Sequence, residues 1–168
     1  MKNLLILLSM TLLSSTVIAQ TNFEKRIIEQ INVHRESMGL APATFDTAAY
    51  SIAKEQVEYM VKSNTHPPIK TVGENGEIIE KTLEMQKLEK NFTGSGGSVS
   101  QTHVFNNLWS EEEMVDVVIN FLLSEKSYEV NMILPIDPTI DKKYVIGVYS
   151  IVSNEILFVV MVLCEVKI

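Results

Sequence analysis

Apolar residues recur at helical spacing in three stretches of the chain, which predicts three amphipathic helices. The first follows Thr21, which forms a capping-box pattern with Glu24, and it stops at Gly39. The second begins after the N-cap candidate Asp46 and ends near Asn64, because the prolines that follow disfavour a helix. The expected buried stripes are Phe23, Ile27, Ile28 and Ile31 in the first helix, and Ala49, Ile52, Ala53, Val57, Met60 and Val61 in the second.

The third helix begins at Ser110, which repeats the capping-box pattern with Glu113, and we expect it to run to about Ser124. Residues 69–82, with a turn-forming Asn75-Gly76 pair, are compatible with short strands, and residues 83–90 are compatible with a short helix. Residues 91–100 are rich in glycine and serine and are interpreted as a surface loop. The expected apolar stripe of the third helix is Met114, Val117, Val118, Phe121 and Leu122.

Two nearly continuous apolar runs, residues 144–152 and 156–166, close the chain. They are rich in valine and isoleucine and are separated by Ser153, Asn154 and Glu155, which predicts a β-hairpin buried on both faces. A membrane hairpin is the alternative, but each run has about half of the roughly 20 apolar residues that a spanning helix needs. Three helices and a buried hairpin predict an α/β sandwich.

Residues 1–19 have the order of a secretory signal peptide: Lys2, then a leucine-rich run, then Ala19 at the cut. Cleavage there leaves one domain, residues 20–168, with no predicted membrane span. Because Lys2 is the one charged residue removed, the net charge changes from −7 to −8. We therefore expect a secreted or periplasmic protein.

Composition excludes two classes of function. Asp and Glu outnumber Lys and Arg by 21 to 14, and no basic run is present, so the chain has no electrostatic surface for nucleic acid. Cys164 is the single cysteine, which rules out an internal disulfide and a cysteine-based zinc motif. Its place in a predicted buried strand favours a structural thiol over a reactive one.

Three residues could carry chemistry, and each has a plain structural alternative. His66, followed by two prolines, is either a ligand or base on a rigid stem or a polar surface residue. His103 either begins a strand that faces a cleft or is solvated. Glu113 ends an acidic first turn that favours the helix dipole, and a catalytic or metal-binding role would need a histidine beside it. No HExxH, GxSxG, P-loop or Rossmann motif occurs.

Four stretches, in this order, carry a family resemblance: INVHRESMGLAPATFDTAAYSIAKEQVEYMVKSNTHPP (31–68), SEEEMVDVVINFLLSE (110–125), NMILP (131–135) and the hairpin (143–164). Together they resemble the CAP superfamily, the secreted domain of cysteine-rich secretory proteins, antigen 5 and plant pathogenesis-related proteins. The chain is most similar to the bacterial, disulfide-free branch. The resemblance implies an α-β-α sandwich with a central, mostly antiparallel sheet that ends in the buried hairpin.

The resemblance also implies a cleft with two histidines and two acidic residues, where some members bind zinc or another divalent cation. His66 takes the place of the first histidine and Glu113 that of the second glutamate. Thr102 stands where the family has its first glutamate, and Tyr128 where it has its second histidine, so the tetrad is degraded. We expect His66 and Glu113 to meet in the cleft, Thr102 and Tyr128 to line it, and His66, His103 and Glu113 to form the hypothetical ligand set for a metal.

Two functional classes follow from this resemblance. The first is an exported binding or interaction module for an extracellular ligand, lipid or protein. The alternative is a metal-assisted, peptidase-like hydrolase that uses His66, Glu113 and His103. The missing second histidine favours the binding module, and His66 and Glu113 are the candidate catalytic residues of the alternative.

Overall fold

The computed structural model describes residues 20–63, 96–105, 108–124 and 143–166. The predicted signal peptide, the segment 69–90, His66 and Tyr128 lie outside these ranges. The described elements are α1 (Asn22–Ser37), β1 (Thr44–Phe45), α2 (Thr47–Ser63), β2 (Gly96–Val104), α3 (Glu111–Ser124), β3 (Lys143–Ser153) and β4 (Ile156–Val166).

All three predicted helices are confirmed, and their starts are fixed by local side chains. Thr21 and Glu24 form the complete capping box of α1. The carboxylate of Asp46 accepts hydrogen bonds from the backbone N–H groups of Ala48 and Ala49, at 2.8 and 2.9 Å, and so caps α2. These contacts satisfy amide groups that the first turn of a helix leaves without partners.

The four strands form one sheet in the order β1-β3-β4-β2. β1 runs parallel to β3, whereas β3 and β2 both pair antiparallel with β4. The predicted hairpin is confirmed: Ser153 pairs with Ile156, so a two-residue turn of Asn154 and Glu155 joins β3 to β4. Both turn residues have positive φ, 51° and 60°, as a type I′ turn requires.

Helices lie on both faces of the sheet, which confirms the sandwich. Alternate residues of β4 belong to different cores, because side chains along a strand point to opposite faces. One core packs α2 against the sheet, and the other packs α1 and α3 against it. The α2 side contains Ala49, Ile52, Ala53, Val57, Met60, Phe158, Val160, Val162 and Cys164, and the α1 and α3 side includes Ile27, Ile31, Val99, Val115, Val118, Leu122, Ile146, Val148, Val159 and Met161.

β2 corrects the interpretation of residues 91–100 as a surface loop. Residues 96–100 lie in a strand, with Gly96 opposite Cys164 and Ser100 opposite Val160. Local propensity opposes a strand of glycine and serine, but pairing with the buried β4 overrides it. His103 consequently lies near the end of a strand and does not begin one.

The segment between α1 and β1 is fixed by two side chains of α1. Arg35 is buried, and its Nε and Nη2 donate to the carbonyl oxygen of Ala41 at 3.0 and 2.9 Å. Its guanidinium also lies 4.7 Å from the ring centroid of Tyr144 on β3. Asn32 exchanges two hydrogen bonds with the backbone of Ala43, as a neighbouring strand would. β1 is thereby held against β3.

Within the described ranges, no helix is both long enough and apolar enough to span a bilayer.

Candidate functional site

His103 lies on the sheet face that α1 and α3 cover. Its Nε2 is 2.7 Å from Oε1 of Gln101, two residues earlier on the same face of β2. Because an amide oxygen only accepts, Nε2 carries the proton in this pairing, and Nδ1 is an acceptor in the neutral ring. The imidazole also meets Phe121 of α3 edge to face, with ring centroids 5.6 Å apart. His103 is thus held in one orientation by a polar and an aromatic neighbour.

Burial lowers the pKa of His103 below its ordinary value of 6.5. The charged ring loses hydration against the sheet and Phe121, so the neutral form is favoured. At pH 7 the side chain is therefore a neutral imidazole that can both donate and accept a hydrogen bond.

Glu113 lies in the first turn of α3, where its carboxylate is used by the capping box. Its Oε2 accepts from the backbone N–H of Ser110 at 2.7 Å and from the Ser110 hydroxyl at 2.9 Å. The Ser110 Oγ in turn accepts from the Glu113 N–H at 3.2 Å. The Ser110 backbone N–H, and then its hydroxyl, lower the pKa of Glu113. Glu113 therefore has the structural role of capping the first turn of α3.

His103 and Glu113 contact different parts of α3. Phe121, which touches His103, is eight residues after Glu113, or about 12 Å along the helix axis. Thr102 is exposed and lies on the opposite sheet face from His103, because adjacent strand residues alternate. Of the two neighbouring β2 positions, only His103 shares a face with α3.

The other predicted site residues are His66 and Tyr128. His66 and Tyr128 lie outside the described residues, so the meeting of His66 with Glu113 and the place of Tyr128 in the cleft are untested. Residues 20–63, 96–105, 108–124 and 143–166 contain no group of three His, Cys, Asp or Glu side chains that could hold a metal ion. The ligand set of His66, His103 and Glu113 therefore remains a hypothesis.

Exposed apolar side chains flank α3 at both ends. Leu108 is 86% exposed and Trp109 is also exposed, just before the first turn, and Phe121 is 39% exposed near the end. Phe121 belongs to the predicted apolar stripe of this helix but is exposed. The buried stripe of α3 is centred on Val115, Val118 and Leu122, so Phe121 falls at its margin, where His103 covers one edge of the ring.

Sequence reasoning missed Gln101 and Phe121 as partners of His103. The place of Gln101 beside His103 was predictable from the sequence, because residues two apart in a strand share a face. The contact of Phe121 with His103 was not predictable from the sequence, since it depends on how α3 crosses β2. We call His103, Leu108, Trp109, Phe121 and the acidic first turn 111–113 the α3 surface.

Two solved structures are similar to this chain, and the first of them agrees with its fold. An outer surface protein of Borrelia burgdorferi has a similar structure, with a TM-score of 0.59 and 18% sequence identity over 89% of this chain and 97% of that one. A cysteine-rich secretory protein of Staphylococcus aureus gives a TM-score of 0.49 and 16% identity, over 87% of this chain and 40% of that one. No curated protein sequence matches the chain.

The family comparison is decisive. The model of the cysteine-rich secretory protein family, CAP, matches residues 28–132, which is more than half of the chain. That range includes the last ten residues of α1 and all of α2, β2 and α3, the elements that position His103 and Glu113. The chain therefore belongs to the cysteine-rich secretory protein (CAP) family.

Proposed function

We propose that this protein is an exported CAP domain that acts outside the cytoplasm as a binding module, and that the α3 surface contacts its partner. Family membership and the signal-peptide pattern of residues 1–19 support export. The likeness to an outer surface protein is compatible with that location. The partner presents an apolar group, such as a lipid chain or an apolar patch of a protein.

The observation that carries the proposal is the exposure of Leu108 and Trp109 beside α3. Large apolar side chains in water favour contact with apolar matter, by roughly 25 cal/mol for each Å² that is buried. Tryptophan adds an indole N–H, which lets one side chain bury its ring and still donate a hydrogen bond at the edge of an interface. These two adjacent residues form an apolar anchor on an acidic protein.

His103 and Glu113 suit recognition in this arrangement. The neutral imidazole, oriented by Gln101, offers Nδ1 as an acceptor beside the ring of Phe121. Residues 111–113 form an acidic turn, in which Glu111 and Glu112 lie 3.8 and 3.7 Å from Arg26 of α1. A partner with an apolar group next to a neutral or basic polar group complements this surface.

Trp109 permits a direct test because it is the single tryptophan of the chain. We expect the uncharged apolar dye Nile red to bind saturably and to shift the tryptophan emission to shorter wavelength. Leu108→Ser should weaken dye binding at least tenfold. Val33→Ser is the matched control, since Val33 is a 59% exposed apolar residue on α1, and it should leave binding unchanged.

Equal loss in the two variants, or no emission shift, would contradict the proposal. A zinc titration by calorimetry addresses the alternative hydrolase. Tight one-to-one zinc binding that is lost in both His66→Ala and His103→Ala would replace the binding module with a metal site.

Export has its own test. Expression with residues 1–19 in a bacterial host should give a mature chain that begins at Gln20 in the periplasm or the medium. N-terminal sequencing of a cytoplasmic, uncleaved chain would contradict this part of the proposal.

A further inference from the structure

The outer edge of β3 is only briefly paired among the described strands. β1 contacts it at two positions, Thr44 opposite Val145 and Phe45 opposite Ile146. The strand continues to Ser153, and Val152 is 47% exposed. Residues 144–153 contain no charged residue and no proline, and seven of the ten are β-branched or aromatic. A strand edge of this composition readily pairs with another chain.

Glu24 of α1 occupies this edge. Its side chain is completely buried, and Oε1 accepts from the backbone N–H of Ser150 at 3.0 Å and from the Ser150 hydroxyl at 3.3 Å. The other oxygen, Oε2, accepts from the Thr21 N–H at 2.9 Å. The carboxylate thus accepts from the Ser150 N–H, which an incoming strand would otherwise use as a hydrogen-bond donor. The capping box of α1 holds the carboxylate in this position.

Tyr50 of α2 reaches the same edge from the other face of the sheet. Its ring meets that of Tyr149 edge to face, with centroids 5.4 Å apart. Burial, and then the negative charge of Glu24, raise the pKa of Tyr50 to about 12. The pKa of Tyr149 is raised by burial first and by Glu58 and Glu24 after it. Tyr50 and Tyr149 thus pack together beside this part of the strand, on the face of the sheet that α2 covers.

A strand that paired here would have to displace Glu24 from Ser150. The carboxylate would lose two of its donors while remaining against the protein interior, which is costly for a charged group. Inward-pointing charges are one of the ways in which proteins protect sheet edges.

We propose that Glu24 prevents β3 from pairing with β3 of a second copy of this chain. A second copy is the expected occupant because it brings an identical uncharged strand, and two such strands pair antiparallel about a two-fold axis. Glu24 therefore has two tasks: it closes the capping box of α1 and it blocks the β3 edge.

The test compares Glu24→Ala with Thr21→Ala in the purified chain. Both changes remove half of the capping box, but only Glu24→Ala frees the Ser150 N–H. We expect wild type and Thr21→Ala to stay monomeric in sedimentation velocity, and Glu24→Ala to dimerise with an affinity at least tenfold higher than theirs. Hydrogen exchange at the Ser150 amide should be faster in monomeric Glu24→Ala than in wild type.

A second change keeps the result interpretable if Glu24→Ala is poorly folded. Val152→Lys places a charge on the exposed edge, and in the Glu24→Ala background it should restore the monomer. Association through unfolded chain would persist despite Val152→Lys, and that persistence would overturn the proposal. So would equal association of Thr21→Ala, or a folded Glu24→Ala chain that is no more associated than wild type.

Discussion

Gly147 of β3 lies directly beneath the backbone of Tyr50 in the first half of α2. A Cβ at position 147 would lie 2.1 Å from the amide nitrogen of Tyr50 and 2.3 Å from the carbonyl carbon of Ala49. The missing side chain therefore lets the helix backbone rest on the sheet, and it sets the separation between α2 and β3.

Gly147→Ala should destabilise the protein strongly, because the atoms in its way are backbone atoms that cannot rotate aside. We expect a loss of about 3 kcal/mol or more in the free energy of unfolding, at the upper end for overpacked cores. Gly39→Ala is the control: its cost is about 1–2 kcal/mol from the positive φ of 76°, since nothing lies within 4 Å of its Cβ. Urea unfolding measures both, and equal losses would refute the close packing of α2.

Val160→Asp should prevent cooperative folding. Val160 is fully buried at the centre of β4, between Tyr149 and Ser100 of the neighbouring strands, and it packs against α2. An unpaired carboxylate there costs several kcal/mol, a large part of the roughly 5–15 kcal/mol that stabilises a typical domain. Glu155→Asp in the exposed turn should be nearly silent. A Val160→Asp chain that melts cooperatively in circular dichroism would show that the hairpin is not central.

Arg35→Lys should cost about 1.5–3 kcal/mol, the range for hydrogen bonds to charged groups. An ammonium cannot reproduce the two donors that the guanidinium directs at Ala41, or its planar contact with Tyr144. Arg26→Lys should change stability by less than about 0.5 kcal/mol, because the contacts of Arg26 with Glu111 and Glu112 are exposed and long. Denaturant midpoints of the two variants that coincide would contradict a structural role for Arg35.

Ser110→Ala should raise the pKa of Glu113 towards its ordinary value of 4.5, because the hydroxyl hydrogen bond is lost. In the wild type, the lowered pKa stabilises the folded state fully above pH 4.5, and this contribution disappears as pH falls through the folded-state pKa. Carboxyl NMR signals measure the shift. Ser124→Ala, which removes a hydroxyl at the other end of α3, should leave the Glu113 titration unchanged.

Local sequence was sufficient for the helix starts and the hairpin. The capping boxes of Thr21 with Glu24 and Ser110 with Glu113 join residues three apart, so their chemistry is visible in the sequence. The two strands of the hairpin were equally visible as apolar runs, whereas Ser153, which was expected between them, pairs with Ile156 and leaves a two-residue turn. The resemblance to the CAP family added the layer order, which the two separate cores confirm.

Contacts between distant segments were beyond prediction. Residues 96–100 form a strand because they pair with β4, about sixty residues later, against their own propensity. The contact of Glu24 with Ser150 spans 126 residues. At the candidate site, the strand period placed Gln101 beside His103, whereas the exposure of Phe121 depended on which face α3 turns to the sheet.

The most direct test asks whether His103 is a neutral recognition residue or a metal ligand. It is an NMR titration of the His103 imidazole with and without one equivalent of zinc. We expect the pKa of His103 to lie below 6.5 because of burial, and the titration curve to be the same when zinc is present. Since the folded-state pKa is lowered, the stabilisation linked to His103 is complete above pH 6.5 and declines as pH falls towards the folded-state pKa. A pKa of 6.5 or higher, or a His103 signal that zinc prevents from titrating, would contradict a neutral recognition residue and indicate a metal ligand.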